Sequence, residues 1–162
     1  MKKSIFIFGI ILLSSLLNSC MMFGGFASKV YLNTKDDDNT IREAIVENYK
    51  IVANIPVATT GERVRYSINI FDAATNELMP NNEISLIIKA KLKRRYARRY
   101  TAQKYKEIAT LNAETQSTRY KEKTFFYEYD KQRNYQLNFI INSIGGKKLE
   151  TPLNVVTYHK VN

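Results

Sequence analysis

The 162-residue sequence predicts an all-β fold, an antiparallel sandwich, and three observations carry that expectation. Apolar and polar residues alternate with period two along most of the chain after residue 50. Clusters of Gly, Asn, Asp, Pro and Thr separate the alternating runs at short intervals. About six strands at such spacing, with one insertion of a different period, suit two packed antiparallel sheets.

Thr40 and Glu43 have capping-box spacing, so Ile41–Tyr49 reads as a short helix or, nearly as well, as a strand. Ile51, Ala53, Ile55 and Val57 share one face of the next segment, where Pro56 marks an edge strand or a strand end. After the turn Thr59-Thr60-Gly61-Glu62, Val64, Tyr66, Ile68 and Ile70 alternate with Arg65, Ser67 and Asn69. Asp72–Asn82 is turn-rich. Ile84, Leu86, Ile88, Ala90 and Leu92 make the clearest strand face, and Lys89, Lys91 and Lys93 project opposite them, about 6.8 Å apart. From Arg95 to Leu111 the period changes, because Ala97, Thr101, Tyr105, Ile108 and Leu111 are spaced by three or four. That spacing predicts a short helical or loop insertion around 95–111. Three strands follow, Thr118–Tyr129, Tyr135–Ile144 and Leu153–Val161, the last two joined by the hairpin signal Gly145-Gly146.

The N-terminus is built differently. Met1-Lys2-Lys3 precedes an apolar run from Ile5 to Leu17, and Asn18-Ser19-Cys20 closes it. A basic start, a short apolar core and a small residue before a cut site are the parts of a secretory signal peptide. The run is shorter than the roughly 20 residues a membrane span needs. Leu17-Asn18-Ser19-Cys20 resembles the lipobox of bacterial lipoproteins. The resemblance implies a signal peptide over 1–19 and lipid on Cys20; composition and alternation then read 20–40 as a tether and 41–162 as a β-sandwich domain. Cys20 is the only cysteine, so it has no partner for an internal disulfide. Met21 in place of Asp after the cysteine favours, by the same resemblance, the outer membrane over the inner one.

Asp130 followed by Tyr135-Gln136-Leu137 resembles the tyrosine corner of immunoglobulin-like domains, with Leu137 where antibody domains carry cysteine. Gly61–Asp72, a turn, and the strand from Ile84 resemble a B-to-C passage in such domains. The pattern departs from that family in three ways: Asp130 lies five residues before Tyr135, not four, and there is neither a disulfide nor a tryptophan. A transthyretin-like sandwich fits about as well.

The formal charge of +10 is concentrated in one place. Ile84–Lys106 holds nine basic residues and no acid: Lys89, Lys91, Lys93, Arg94, Arg95, Arg98, Arg99, Lys104 and Lys106. Such a segment, with Tyr96, Tyr100 and Tyr105 interleaved, is either a solvated basic face or the contact for an anionic partner: an acidic protein, an acidic glycan or a lipid headgroup. An exported, lipid-anchored protein meets little nucleic acid, which argues against that partner. Phe125, Tyr127 and Tyr129 share a strand face that reads as core. Asp36-Asp37-Asp38 lacks the glycine and distal glutamate of a calcium loop and reads as a solvated linker. His159 is the single histidine, and no glycine-framed serine or phosphate-cradling loop accompanies it. The expectation is a membrane-anchored, non-enzymatic binding protein that needs no cofactor or metal. A structural or assembly subunit of a larger envelope complex is the alternative.

Overall fold

The structure, a computed structural model, describes residues 29–35, 38–93, 104–113 and 122–162. Among the described residues there are ten strands and no helix: β1 (Lys29–Tyr31), β2 (Asn33–Lys35), β3 (Asp38–Val46), β4 (Tyr49–Asn54), β5 (Arg63–Asp72), β6 (Glu83–Lys91), β7 (Tyr105–Asn112), β8 (Lys123–Glu128), β9 (Arg133–Ile144) and β10 (Lys147–Val161). They form two five-stranded sheets, ordered β1-β10-β9-β6-β7 and β2-β3-β4-β5-β8. Every strand pair is antiparallel except β1 with β10. The fold is the all-β sandwich that the alternation predicts.

The period-two residues explain the core. Ile51, Ala53, Tyr66, Ile70 and Phe125 come from one sheet, and Leu86, Ile88, Leu137, Phe139 and Val155 from the other; all are fully buried. Phe125 and Phe139 meet across the sandwich with ring centroids 5.8 Å apart, inclined at 62°, an edge-to-face contact. Each large apolar side chain withdrawn from water contributes about 1.5–3 kcal/mol. The Phe125 face of the aromatic run is therefore core, as its spacing suggests.

Turn chemistry fixes the register. Gly145 and Gly146 have φ of +59° and +78°, so both central residues of the β9–β10 turn lie in the left-handed region, as a type I′ hairpin requires. Farther along β10 the pairing slips between Lys148 and Leu153, where Pro152 stands in an irregularity that spares a proline the need to donate.

Three expectations need correction. Tyr105–Leu111 is not a helix or loop but most of β7, an antiparallel partner of β6. A bulge between Ile88 and Lys89 breaks the alternation opposite Ile108, so Leu111 and Ala109 pair with core residues while Ile108 turns outward. That interruption mimics a three-to-four spacing. Residues 95–103 lie outside the described residues. Second, of the two readings of Ile41–Tyr49 the helix is excluded and the strand stands over Ile41–Val46, since pairing with β4 overrides the local capping signal. Third, the sheets begin before residue 41: β1 joins β10, and β2 joins β3 in the other sheet. Strands of three residues carry too few positions to show a pattern.

Tyr135 is buried, and its hydroxyl donates to the Lys131 carbonyl at 2.8 Å, closing the turn between β8 and β9. Removing that hydroxyl in Tyr135→Phe is expected to cost about 1 kcal/mol in urea denaturation. An unchanged midpoint would show that the bond does not hold the turn.

Candidate anion-binding site

The basic residues are brought together by strand pairing, not by sequence alone. Ala90 in β6 pairs with Tyr135 in β9, so the residues just beyond Ala90 lie beside those just before Tyr135. The Leu92 amide donates to the Lys104 carbonyl at 2.9 Å, which carries the β6–β7 ladder past Lys91. Lys91 and Lys93 thereby line one wall of an open cleft of about 690 Å³, and Lys131 and Arg133 line the other. Among the described residues, Asp130 is the only carboxylate on its lining, and it pairs with Lys131 at 3.5 Å while largely exposed. An exposed pair of this kind contributes about 0–1 kcal/mol and leaves the local excess of positive charge standing.

Of the residues singled out from sequence, Lys91 and Lys93 line the cleft. Lys104 lies beside them through its carbonyl. Lys89 is half-buried between its cross-strand neighbours Glu107 and Gln136. Lys106 is exposed on β7, opposite Ala90. Arg94, Arg95, Arg98 and Arg99 lie outside the described residues, as do Cys20, Asp36 and Asp37. Lys131 and Arg133 escaped the sequence reading because they sit 40 residues along, in a stretch whose charge is balanced. Recognising the β6–β9 pairing is the one step that would have found them.

The cleft continues. A second hollow of about 350 Å³ lies among Arg133, Asn134 and Lys160, and a third of about 450 Å³ is lined by Arg42, Tyr105, Asn134, Tyr158, His159 and Lys160. Asn134 lines all three, so they form one chain of depressions along an end of the β9–β10 pair.

Arg42 is the most unusual cation here. It reaches from β3 across the gap between the sheets, and its Nη1 donates to Thr157 Oγ1 and to the Tyr158 carbonyl on β10. Its Nε is buried without an acceptor. Burial lowers its pKa from the ordinary guanidinium value. Beside it, His159 is 4% exposed and flanked by the rings of Tyr66 and Tyr129 at 5.7 and 5.8 Å, whose hydroxyls bond one another at 2.7 Å. Burial, then the nearby Arg42 charge, push the His159 pKa down to about 4, so the imidazole is neutral in the folded protein at physiological pH. Burial drives the Tyr66 and Tyr129 hydroxyls well above their ordinary range. Among the described residues, no three His, Cys, Asp or Glu side chains group as metal ligands. The lining of the His159 cleft holds no carboxylate, serine or cysteine among the described residues. The arrangement can bind and orient an anion.

No protein-family model matches this chain, and no curated protein matches it. Among solved structures, the crystal structure of "a Putative Lipoprotein from Bacillus anthracis" matches over 91% of this chain and 91% of that one, at 11% identity and a TM-score of 0.32. A likeness at that score carries no argument about this chain.

The neutral imidazole makes stability depend on pH. Its folded pKa lies below the unfolded value of 6.5, so the unfolded chain binds the extra proton first as pH falls. This contribution is complete above pH 6.5 and is lost progressively down to about pH 4. Between pH 7 and pH 4 the stability advantage of wild type over His159→Leu is expected to shrink by up to about 3 kcal/mol. Denaturation curves that keep a constant offset across that window would refute a neutral buried imidazole.

Proposed function

We propose that this chain is an exported lipoprotein, anchored through lipid on Cys20, whose sandwich is a non-catalytic binding domain for an anionic partner in the envelope or outside the cell. The observation that carries the binding role is convergence. Lys91 and Lys93 on the β6 side, Lys131 from the β8–β9 turn, Arg133 at the start of β9 and Lys160 from β10 surround connected depressions with one exposed carboxylate among the described lining residues. Gathering like charges costs energy that a bound anion recovers, and a positive cleft between low-dielectric walls focuses the field that attracts one. The lipobox at Leu17–Cys20 and the basic, apolar leader support export and anchoring, and Met21 supports the outer membrane.

Strand order supports an immunoglobulin-like reading of the sandwich. With β4, β5 and β8 taken as strands A, B and E, β6, β9 and β10 fall where strands C, F and G stand in the facing sheet. The Tyr135 hydroxyl bond lies at the start of the strand equivalent to F, as in a tyrosine corner.

A second reading, an assembly subunit that pairs strands with its partner, draws on β7. That strand stands at the edge of its sheet with Ile108 outward. Salt separates the two readings, because exposed charges are screened within about 8 Å at physiological ionic strength whereas strand pairing persists.

Two outcomes are expected. Replacing Lys91, Lys93, Lys131 and Arg133 together by Gln should weaken binding of the full-length, detergent-solubilised protein to immobilised polyphosphate roughly tenfold or more at low salt. Affinity equal to wild type, or binding indifferent to 500 mM salt, would remove the charge-led reading. Separately, Cys20→Ser should release the protein from the membrane fraction. Retention there would refute the lipid anchor.

A further inference from the structure

The basic groove leads to a row of tyrosines, and the row narrows the chemistry of its partner. Tyr31 on β1, Tyr158 on β10 and Tyr105 on β7 come from three strands of one sheet. The Tyr31 and Tyr158 rings stack at 6.4 Å and 22°, and the Tyr105 ring lies 5.9 Å from Tyr158, inclined at 38°. Tyr31 is 51% exposed and Tyr158 48%, so the stacked pair stands half in water. Contiguous exposed apolar surface on a soluble domain marks a contact site. Tyrosines suit that role because a rigid ring loses little side-chain entropy on binding.

The polar groups beside the row are cations and amides. Tyr158 pairs across the ladder with Gln136, and Lys160 with Asn134. The cleft that Tyr105 and Tyr158 share holds the cations Arg42 and Lys160, the Asn134 amide and His159, with no carboxylate among its described lining residues. Two nitrogens at this cleft, Arg42 Nε and His159 Nε2, are buried and have no hydrogen-bond partner.

From this juxtaposition we infer that the tyrosine row and its cleft bind a pyranose ring of an acidic glycan, with the ring's C–H face on Tyr158 and Tyr31 and its carboxylate or phosphate toward Arg42 and Lys160. The inference rests on the anionic-partner reading above and names the substrate class. A sugar ring presents one apolar face and a polar rim, which matches aromatic rings bordered by amides. Its negative substituent matches cations that have no acid within the cleft. A flat protein partner would leave the cleft unfilled, and an anion without a ring would leave the tyrosines in water.

The test uses the full-length protein in mild detergent, with binding read by saturation-transfer NMR and by intrinsic tyrosine fluorescence, since the chain has 11 tyrosines and no tryptophan. The probes are tri-galacturonate, glucose 6-phosphate, neutral maltotriose, a ten-residue oligothymidylate and polyphosphate. Tri-galacturonate or glucose 6-phosphate should bind with saturation strongest at ring C–H protons, and whichever binds tighter identifies carboxylate or phosphate as the substituent. Tyr158→Ala should weaken that binding about tenfold or more while Tyr158→Phe preserves it, since the ring face is the contact. Tyr31→Ala provides a second variant should Tyr158→Ala fail to fold. Polyphosphate binding should survive Tyr158→Ala and fall with the four-residue Gln variant, so loss of the groove and loss of the platform are read apart. Sugar binding unmoved by either tyrosine variant, or maltotriose binding as tightly as the acidic sugars, would overturn the inference. Oligothymidylate binding more tightly than both sugars, with the same tyrosine dependence, would replace it with a nucleic-acid site.

Discussion

Strand β9 is hydrogen-bonded on both sides, to β6 and to β10, and the rest of the molecule takes its position from that double pairing. Tyr135 through Phe139 are buried on both faces, including Gln136 and Asn138. A strand so enclosed cannot slip by one residue without turning Leu137 and Phe139 away from the core. Its register therefore also sets where Lys91 meets Asn134 and where Lys160 meets the same residue. The core that aligns the sheets is what collects the charge at one end.

Much of this architecture was legible in the sequence. The alternation in β5, β6, β9 and β10 and the paired glycines at 145 and 146 predicted strands and a hairpin where they stand. β7 was not legible, because a bulge imitates the spacing of a helix, and β1 and β2 are too short to carry a period. The site divides in the same way. The run from Lys89 to Lys106 stood out because nine cations without an acid are visible by counting. Arg42, Lys131, Arg133 and Lys160 did not, since each is isolated in sequence and reaches the cleft only through strand pairing. His159 read as neither metal ligand nor base, and its place between Tyr66 and Tyr129 is a core position.

Arg42 has a structural part as well as a place in the cleft. It joins β3 to β10 through a side-chain hydroxyl and a backbone carbonyl, bridging two sheets that no disulfide connects among the described residues. Two of its neighbours, Tyr66 and Tyr129, spend their hydroxyls on each other, so the polar groups of this interior satisfy one another unevenly. A half-buried guanidinium with one nitrogen unsatisfied stabilises less than an apolar filler would.

The parallel pairing of β1 with β10 has a mechanical side. β1 meets β10 at Asn154 and advances beside it through Val156, in the direction that leads on to Lys160. A pull on the chain ahead of Lys29 therefore acts backward along the axis of β1, away from the end where the cations gather. Two parallel strands drawn in opposite senses are sheared, so their hydrogen bonds share the force instead of opening one at a time. Force along that axis is thus spread over the whole β1–β10 ladder at once.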